Sequence, residues 1–359
     1  MTTYAHINTV PNGSTGGIMM KEHRELLAAG EESFAFWGRG RDAKNDREMR
    51  FASDFEVKAD ALQTRLDGKA GFHSKTATKR LLGRLDEIQP DVVHLHNLHG
   101  YYVNVEMLFE WLAAHECRTE WTLHDCWAFT GHCAYSELCP QLSTYPKTYS
   151  KASCSWNFEQ KKHLFNMIPS ERMKLIVPSQ WLADLVGQSF LKSYPIEVRH
   201  NTIDTSVFKP TPSDFRERYG IGNRFMVLGV ASPWTERKGL SDFVRLAGEL
   251  DSKKFAIVLV GLSERQIKEM PPGIVSLGRT NSLRELAKIY TAADVFLNPT
   301  VEDNYPTVNL EAESCGTPTV TYDTGGCAET LRREDSTVVP GFDEALTVLK
   351  RRFGGRDCA

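Results

Sequence analysis

Short runs of consecutive apolar residues alternate along the chain with longer segments whose apolar residues recur every three or four positions. The runs are rich in Val and Ile, as in strands that are covered on both faces. The predicted strands are Tyr4–Val10, Val92–Leu95, Thr119–Leu123, Leu175–Val177, Glu197–Arg199, Met226–Val230, Ala256–Val260, Ile274–Leu277, Val295–Asn298 and Thr319–Tyr322. The predicted helices are Met19–Ala29, Lys75–Ile88, Val105–Ala114, Trp181–Leu191, Leu240–Leu250, Ser282–Ala292 and Val308–Cys315. This repeated order predicts an α/β protein with parallel sheets and right-handed crossovers.

One stretch in the middle of the chain interrupts the pattern. Between Asn201 and Arg224 the sequence NTIDTSVFKPTPSDFRERYGIGNR replaces apolar residues with Pro, Gly and charge. The chain has 359 residues, which is long for one domain, and half of the predicted strands lie on each side of this stretch. The sequence therefore predicts two Rossmann-like doubly wound domains, 1–205 and 206–359, facing each other across a cleft.

Composition narrows the class of protein. The charged fraction is 25% and the net charge is −3, which argues against a dedicated nucleic-acid binder. No apolar run approaches the ~18 residues of a membrane span, and the first residues lack the layout of a signal peptide. We therefore expect a cytoplasmic protein whose cysteines are mostly thiols. Cys126, Cys133, Cys139 and Cys154 fall in one stretch but not as C-x-x-C pairs, so no metal is expected there.

The first candidate site is a glycine-rich segment after the first predicted strand, INTVPNGSTGGIMM. Gly13, Gly16 and Gly17 would let the backbone approach a ligand, and amide groups there suit an anion. The spacing is neither G-x-G-x-x-G nor that of a P-loop. Two interpretations stay open, namely a donor-binding loop and a tight turn between strand and helix.

Histidines mark the ends of two predicted strands in the first half. The segment DVVHLHNLHGYY contains His94, His96 and His99, and WTLHDCWAFTGHC contains His124 and Asp125. Ligands of open α/β sheets gather at the carboxyl ends of strands. We expect these side chains to line a ligand site on the acceptor side, with a metal site at His94 and His96 and a purely structural His124–Asp125 pair as the alternatives.

The second half carries a helix start that suits an anion. The strand Val295–Asn298 ends at a proline, and Pro306 is predicted at the first position of the next helix, where its fixed φ is favourable. The amides of Thr307, Val308 and Asn309 would then point out of the helix start. Such amides, together with the helix dipole, bind phosphate.

Charged side chains surround this helix start. Arg237 and Lys238, in the segment VASPWTERKGLSDF, could neutralise a diphosphate. Asp303 lies in the loop before the helix and Glu311 lies one turn inside it. Carboxylates accept hydrogen bonds from sugar hydroxyls well, so one acid could hold a transferred sugar and the other a ribose. Glu302 stands beside Asp303 and could fill the same role.

The spacing Asp303-x7-Glu311 followed by LEAESCGTPTVTYDTGG resembles the signature of retaining glycosyltransferases of family 4. The segments RKG, GSTGG, HLHNLHG and TLHDCWAFTGHCAY add to a similarity with the bacterial branch that makes colanic-acid-type polysaccharides. The resemblance implies the GT-B fold and a nucleoside-diphosphate sugar donor, with no cofactor or metal. It matches Lys238 to the diphosphate-binding lysine, Glu311 to the ribose-binding acid and Asp303 to the acid that meets the donor sugar. It matches His124 to a histidine near the reaction centre, and Arg237 is expected to replace a cation that this chain lacks near Ala231.

The candidates from both lines of reasoning fall into three groups. The catalytic candidates are His124, Asp303 and Glu302; the donor-side candidates are Gly16, Gly17, Arg237, Lys238, Asn304, Thr307, Val308 and Glu311; the acceptor-side candidates are His96, His99 and Asp125. The expected reaction moves a sugar to a hydroxyl of a sugar or a lipid-linked oligosaccharide, with retention of configuration. A nucleotide-sugar epimerase and a non-catalytic sugar-nucleotide-binding protein are the alternatives.

Two expectations concern surfaces. Basic residues at helical spacing could contact the inner face of a membrane, although a plain solvated helix face is the favoured explanation. They are Lys75, Lys79, Arg80 and Arg84. The tail Gly341–Ala359 is expected to form a helix that packs back on the first domain.

Overall fold

The computed structural model describes residues 1–135 and 150–356 of the chain. Contacts between residues divide it into two units, Met1–His200 and Asn201–Ala359. The division lies within a few residues of the predicted boundary at 205, at the start of the segment in which proline, glycine and charge interrupt the apolar pattern.

The first unit is built on a seven-stranded sheet in the order β3-β2-β1-β4-β5-β6-β7. Its strands are β1 Thr3–Asn8, β2 Glu32–Trp37, β3 Glu48–Arg50, β4 Val92–Leu95, β5 Arg118–Thr122, β6 Met173–Val177 and β7 Ile196–Val198. Its helices are α1 Gly13–Ala28, α2 Asp54–Asp67, α3 Lys75–Ile88, α4 Val105–Ala114, α5 Lys151–Leu164 and α6 Gln180–Gln188. All pairs of adjacent strands are parallel.

The second unit has a six-stranded parallel sheet in the order β10-β9-β8-β11-β12-β13. Its strands are β8 Phe225–Val230, β9 Phe255–Val260, β10 Ile274–Leu277, β11 Val295–Asn298, β12 Thr319–Tyr322 and β13 Thr337–Val339. Its helices are α7 Phe215–Arg218, α8 Leu240–Glu249, α9 Glu264–Glu269, α10 Leu283–Ala292, α11 Thr307–Ser314 and α12 Phe342–Arg356. In both sheets the strand order reverses beside the first strand, which is where ligands of such sheets bind.

The near-continuous apolar strands are explained by a sheet that is covered on both faces. Val227 belongs to one buried cluster with Leu259 and Leu297. Its chain neighbours Met226 and Leu228 belong to a second buried cluster. Because successive side chains of a strand point to opposite faces, the two clusters lie on the two sides of the second sheet. The sequence prediction of a parallel sheet with helices on both faces is confirmed.

The first helix starts earlier than predicted. It begins at Gly13 instead of Met19, so Gly16 and Gly17 lie in its first turns and not in a loop. A Cβ on Gly16 would come within 2.5 Å of the carbonyl oxygen of Val10. Gly17 is exposed and a Cβ there would meet nothing within 4 Å. Close packing of the helix on the segment that follows β1 therefore explains Gly16.

The last helix forms where it was predicted, but its apolar side chains pack within its own unit. Leu349 is fully buried in the apolar cluster of the second sheet. The Phe353 ring centroid lies 4.9 Å from that of Phe255 in β9. The expected contact of this helix with the first domain stays a prediction. No helix of residues 1–135 and 150–356 combines the length and the apolar character that a membrane crossing requires.

Candidate active site

The helix start predicted as an anion site follows β11. Pro306 takes the N-cap position and α11 begins at Thr307, so the proline lies one residue earlier than the first helical position that was expected. The amide of Asn309 donates to the carbonyl oxygen of Pro306 at 3.2 Å, which corrects the expectation that it points outwards. Among the described residues no acceptor is found for the amides of Thr307 and Val308. Two of the three predicted donors therefore stay available to a ligand.

Buried amide side chains fix this helix start in the sheet. Asn298 at the end of β11 donates through Nδ2 to Oδ1 of Asn309 at 2.9 Å. Asn309 in turn donates to Oγ1 of Thr330 at 2.8 Å. Asn309 has no exposed surface. Because a buried polar group is costly unless it is hydrogen-bonded, these bonds specify where the start of α11 lies against β11.

The predicted cations meet the predicted acid. Arg237 and Lys238 occupy a short 3-10 turn between β8 and α8. Lys238 Nζ forms an ion pair and hydrogen bond with Asp303 Oδ2, and Arg237 Nη1 lies 3.9 Å from the same oxygen. The three side chains are 17%, 22% and 20% exposed, in the order Arg237, Lys238, Asp303. Two cations and one carboxylate are thus concentrated in one partly exposed place.

The turn that carries the cations is joined to the segment after β11. The carbonyl oxygen of Arg237 accepts from the amide of Val301 at 2.8 Å and from Oγ1 of Thr300 at 3.1 Å. Gly239 has a φ of +73°, and a Cβ there would stand 2.4 Å from the carbonyl oxygen of Pro299. Only glycine suits both the backbone conformation and the close approach. The glycine of RKG thereby places Lys238 beside Asp303.

A second glycine turn lies against the backbone of Asp303. The amide of Gly326 donates to the carbonyl oxygen of Asp303 at 2.9 Å. Gly325 has a φ of +56°, and a Cβ there would lie 2.1 Å from that oxygen. The DTGG turn after β12 therefore holds the loop of the candidate acid.

The two neighbouring acids differ in exposure. Glu302 is only 1% exposed as a residue, and its carbonyl oxygen accepts hydrogen bonds from Arg237 and from Oγ1 of Thr300. Asp303 directs its carboxylate to Lys238. Asn304, the remaining donor-side candidate in this loop, is half-buried. Of the two acids, Asp303 has the carboxylate that a ligand can reach.

Glu311 lies one turn into α11, half-buried against α10. Its Oε2 accepts a hydrogen bond from the hydroxyl of Tyr290 at 3.0 Å, and Tyr290 is fully buried. Burial raises the pKa of Glu311, although hydrogen bonds from Tyr290 and Thr307 oppose the shift. Burial and the neighbouring Glu311 charge also raise the pKa of Tyr290. The tyrosine orients the carboxylate and occupies only part of its accepting capacity.

In the first unit the acceptor-side candidates line one small pocket. His96, His99, His124 and Asp125 all contribute to its wall. His96 Nδ1 lies 3.1 Å from His124 Nε2, and His99 Nε2 lies 2.8 Å from Asp125 Oδ2. Burial lowers the pKa of His124 to about 4. Burial raises the pKa of Asp125, but the charge and hydrogen bond of His99 outweigh it and leave the pKa below its usual value.

Comparison with known proteins identifies the second unit. Residues 223–348 match the family model Glycosyl transferases group 1. This segment is a group 1 glycosyltransferase domain. The match runs from β8 into the first half of α12 and therefore includes the cation turn, Asp303 and Glu311. The expectation of a glycosyltransferase is confirmed, and nothing in the comparisons supports an epimerase or a non-catalytic protein.

Proteins that are similar to the chain over longer ranges are also named as glycosyltransferases. The chain is 23% identical over 369 residues to the Escherichia coli K12 protein named "Putative colanic acid biosynthesis glycosyl transferase WcaC", covering 94% of this chain and 87% of that protein. It is 31% identical over 190 residues to a GDP-mannose-dependent α-(1-6)-phosphatidylinositol monomannoside mannosyltransferase of Mycolicibacterium smegmatis. That second alignment covers 47% of this chain and 50% of the mannosyltransferase.

Solved structures show that the fold of this glycosyltransferase is GT-B, as predicted. Sucrose-phosphate synthase of Thermosynechococcus elongatus superposes with a TM-score of 0.74 at 14% identity, covering 99% of this chain and 90% of that chain. Anabaena HepE, solved in complex with UDP-glucose, superposes with a TM-score of 0.65 at 15% identity, covering 99% and 91%.

Sequence reasoning missed a buried lysine in the first unit of the glycosyltransferase. Lys161 in α5 has no exposed surface. Its Nζ donates to the carbonyl oxygen of Trp127 at 2.6 Å and lies 3.8 Å from the centroid of the Trp127 ring. Burial lowers the pKa of Lys161 well below its usual value, although Asp125 opposes the shift. Only its place beside basic Lys162 was visible in the sequence, where such a pair is typical of a solvated face.

The clustered cysteines that the structure describes do not belong to a group of candidate metal ligands. Cys126 and Cys154 are buried, Cys133 is disulfide-bonded, and Cys139 lies outside the described residues. Burial raises the pKa of Cys154 to about 11, so this thiol is not a reactive one.

Proposed function

We propose that the enzyme transfers a sugar from a nucleoside-diphosphate sugar to an acceptor hydroxyl with retention at the anomeric carbon. We further propose a role in the synthesis of a cell-surface polysaccharide or glycoconjugate, as the name of the Escherichia coli relative suggests. The observation that carries the proposal is the ion pair of Lys238 with Asp303, formed in a domain whose family transfers sugars.

The donor diphosphate is assigned to the cations and to the start of α11. Lys238 and Arg237 supply positive charge, and the amides of Thr307 and Val308 supply donors at the positive end of a helix. Charge accumulates on the leaving diphosphate in the transition state, so donors already in position lower the barrier. Anabaena HepE was solved in complex with UDP-glucose and with UDP. UDP-sugars are therefore the first donors to test here.

The two acids are assigned to the two sugars of the donor. Glu311 would accept hydrogen bonds from the ribose, since Tyr290 orients its carboxylate and leaves accepting capacity unused. Asp303 would accept from the hydroxyls of the transferred sugar. Glu302 is buried, and we assign to it the support of this loop.

The acceptor is assigned to the pocket of the first unit, as a sugar or a lipid-linked oligosaccharide. His124 is uncharged at neutral pH because burial lowers its pKa to about 4. A neutral imidazole can accept a hydrogen bond from an attacking hydroxyl. His99 and Asp125 form a second polar pair in the same wall.

The reaction balances without a covalent enzyme intermediate. The bond between the anomeric carbon and the diphosphate oxygen breaks, and the acceptor oxygen forms its bond on the same face of the sugar. The acceptor proton moves to an oxygen of the departing diphosphate. Lys238 and Arg237 stabilise the negative charge that this departure leaves behind.

Membrane contact is not part of this proposal. Of the four basic residues predicted along α3, Arg80 lies 2.6 Å from Glu56 and Arg84 lies 2.6 Å from Glu87. Carboxylates therefore compensate half of the charge that an anionic membrane would attract.

The test compares Lys238→Ala and Glu311→Ala with Lys268→Ala, a control that removes an exposed lysine of α9. Released nucleoside diphosphate and the glycoside product are both measured with a panel of UDP-, GDP- and ADP-sugars. The two site variants should keep the melting curve of the parent. Lys238→Ala should lose at least about 100-fold in kcat/KM, as the loss of one charge-stabilising donor does. Glu311→Ala should lose at least roughly 30-fold, because the ribose loses its hydrogen bonds. Near-normal turnover in both would overturn the assignment. An isomerised sugar nucleotide, or binding without turnover, would overturn the reaction itself.

A further inference from the structure

We propose that the first unit holds a divalent transition-metal ion of the Zn²⁺ class between β1, β4 and α1, with His6, His94, His96 and Glu22 as its ligands. The sequence indicated only the pair in β4. His96 also lines the acceptor pocket described above, but the test below measures metal content and melting and not glycosyl transfer, so the two proposals can fail separately.

The sheet register brings the three histidines together. β1 and β4 are adjacent parallel strands in which His6 is paired with His94, so both side chains lie on the same face. His96 follows His94 by two positions and shares that face. The centroid of the His94 ring is 5.3 Å from that of His6 and 4.3 Å from that of His96. Residues 1–135 and 150–356 contain no other group of this kind.

Glu22 completes the set from α1, the helix that covers this face. One ligand atom from each of the four residues lies within 4.8 Å of all the others. In a tetrahedral site with metal–nitrogen distances of 2.0–2.1 Å, neighbouring ligand atoms lie roughly 3.3 Å apart. We expect side-chain rotations to close the remaining gap when the ion binds.

In His94 and His96 one ring nitrogen contacts another side chain, and the second ring nitrogen faces Glu22. His94 bonds Oγ1 of Thr122 through Nε2 at 2.8 Å and turns Nδ1 towards Oε2 of Glu22 at 3.2 Å. His96 contacts His124 through Nδ1 and turns Nε2 towards the same oxygen at 3.8 Å. Metal-binding histidines are characteristically oriented in this way by a partner on the second ring nitrogen.

Polar atoms in this cluster are buried without partners. Both ring nitrogens of His6 and Nε2 of His96 have no hydrogen-bond partner among the described residues. Oε2 of Glu22 has the 3.2 Å contact with Nδ1 of His94. His6 and His96 are each only 1% exposed. Buried polar groups are hydrogen-bonded in the great majority of proteins. A single cation would satisfy both histidines at once, whereas apolar packing would satisfy neither of them.

The chemistry of the ligand set selects the ion. Three imidazoles and one carboxylate suit Zn²⁺ and its first-row neighbours, whereas Mg²⁺ and Ca²⁺ prefer oxygen ligands. Burial, aided by the neighbouring histidines, lowers the pKa of His6 and His96, and the neutral imidazole is the form that binds metal. All four positions are filled by protein atoms, which is typical of a structural site. The ion would join α1 to the two central strands.

The test measures metal in the untagged full chain after purification without chelator. Elemental analysis for Mn, Fe, Co, Ni, Cu and Zn should give close to one transition-metal ion per chain. Chelation should lower the melting temperature, and added Zn²⁺ should restore it. Co²⁺ in place of Zn²⁺ should give the visible absorption of a tetrahedral site.

Three variants separate a ligand from a packed core histidine. His6→Leu should abolish binding of Zn²⁺ and Co²⁺ and remove the effect of chelator on melting. Glu22→Gln, which keeps the size of the side chain, should weaken Zn²⁺ binding at least tenfold and serves if His6→Leu does not fold. His163→Gln, an exposed histidine of α5, should bind as the parent does. Less than one-tenth of an ion per chain in the parent, with no response to Zn²⁺, would overturn the proposal, as would parent-like binding in both ligand variants.

Discussion

Replacement of Glu311 by Gln tests the ribose assignment, because it should separate binding from stability. The side chain keeps its size and can still accept from Tyr290, which lies 3.0 Å from Oε2, but the charge is lost. Hydrogen bonds to charged groups contribute about 1.5–3 kcal/mol and neutral ones about 0.5–1.5 kcal/mol. The change therefore costs about 1–1.5 kcal/mol for each ribose hydroxyl. Two hydroxyls together give about 2–3 kcal/mol, or roughly 30- to 140-fold in Kd.

The same variant should not lose stability. Burial raises the pKa of Glu311, so the folded protein binds a proton that the unfolded chain has already released above the usual pKa. The free energy of unfolding of the parent therefore falls as the pH rises from about 4.5 through the folded pKa. The free energy of unfolding of Glu311→Gln should not fall in this way, because the Gln side chain does not titrate. At neutral pH this variant should be at least as stable as the parent in denaturant titrations.

The assay is calorimetric titration with UDP and with 2′,3′-dideoxy-UDP, or with the GDP or ADP pair if thermal shift shows that base to bind best. The parent should prefer the ribose form, and in Glu311→Gln this preference should be roughly 30- to 140-fold smaller. Glu313→Gln is the matched control, because Glu313 is a buried acid of the same helix that accepts from the amide of Arg332 at 2.7 Å. That control should lose stability and keep the ribose preference. Equal weakening of both ligands in Glu311→Gln would refute the ribose assignment.

Three further outcomes follow from the geometry. Gly325→Ala should lower the free energy of unfolding by at least about 1–2 kcal/mol because of its left-handed φ alone, and it should weaken UDP binding. Gly341→Ala, whose added Cβ would meet nothing within 4 Å, should have neither effect. Parent-like melting of Gly325→Ala would contradict the contact with Asp303. Lys161→Met should change the pH dependence of stability. Because the pKa of Lys161 is lowered in the folded protein, the free energy of unfolding of the parent should rise as the pH rises towards 10.5, and that of the variant should not rise in this way. A constant difference between parent and variant in unfolding titrations from pH 7 to 10 would contradict the burial of Lys161. Asp125→Asn should raise the acceptor KM while the UDP Kd stays unchanged, and a shift in the UDP Kd would count against the acceptor assignment.

Much of the fold could be predicted from the chain because apolar runs and helical periodicity were strong there. The strands Val295–Asn298 and Thr319–Tyr322 and the helix Lys75–Ile88 have the predicted bounds. Helix Asp54–Asp67 was missed although Phe55, Leu62 and Leu66 recur at helical spacing, and this apolar stripe is exposed. Its capping box of Ser53 and Glu56 is a signal that could have revealed it.

Other strands were missed for a different reason. β3 has only three residues, Glu48–Arg50, and it exists because β2 offers an edge to pair with. β2 itself begins with Glu32 and buries Ser33, which bonds His23 at 2.8 Å, so its apolar run is short. Tertiary pairing decides both strands, and no local pattern encodes it. The prediction of five strands in each half therefore fell short of the observed seven and six.

The candidate site shows the same division between local and long-range information. Strand ends, glycines and the helix start pointed to Lys238, Asp303 and Glu311. Which of them touch could not be predicted, because the ion pair joins positions 65 residues apart in sequence. Tyr290 and His6 could not be recognised from the sequence, because their roles depend on contacts with residues of other elements, Glu311 in α11 and His94 in β4.

The bonds between the Arg237 turn and the segment after β11 have a consequence for engineering donor preference. Because Gly239 sits against Pro299 and Val301 donates to Arg237, neither segment can be remodelled while the other keeps its shape. Substitutions in the two should show strong epistasis, with double mutants departing from the sum of the single ones. Chimeras that take both segments from one homologue should fold and catalyse transfer, whereas chimeras that take the two segments from different homologues should not.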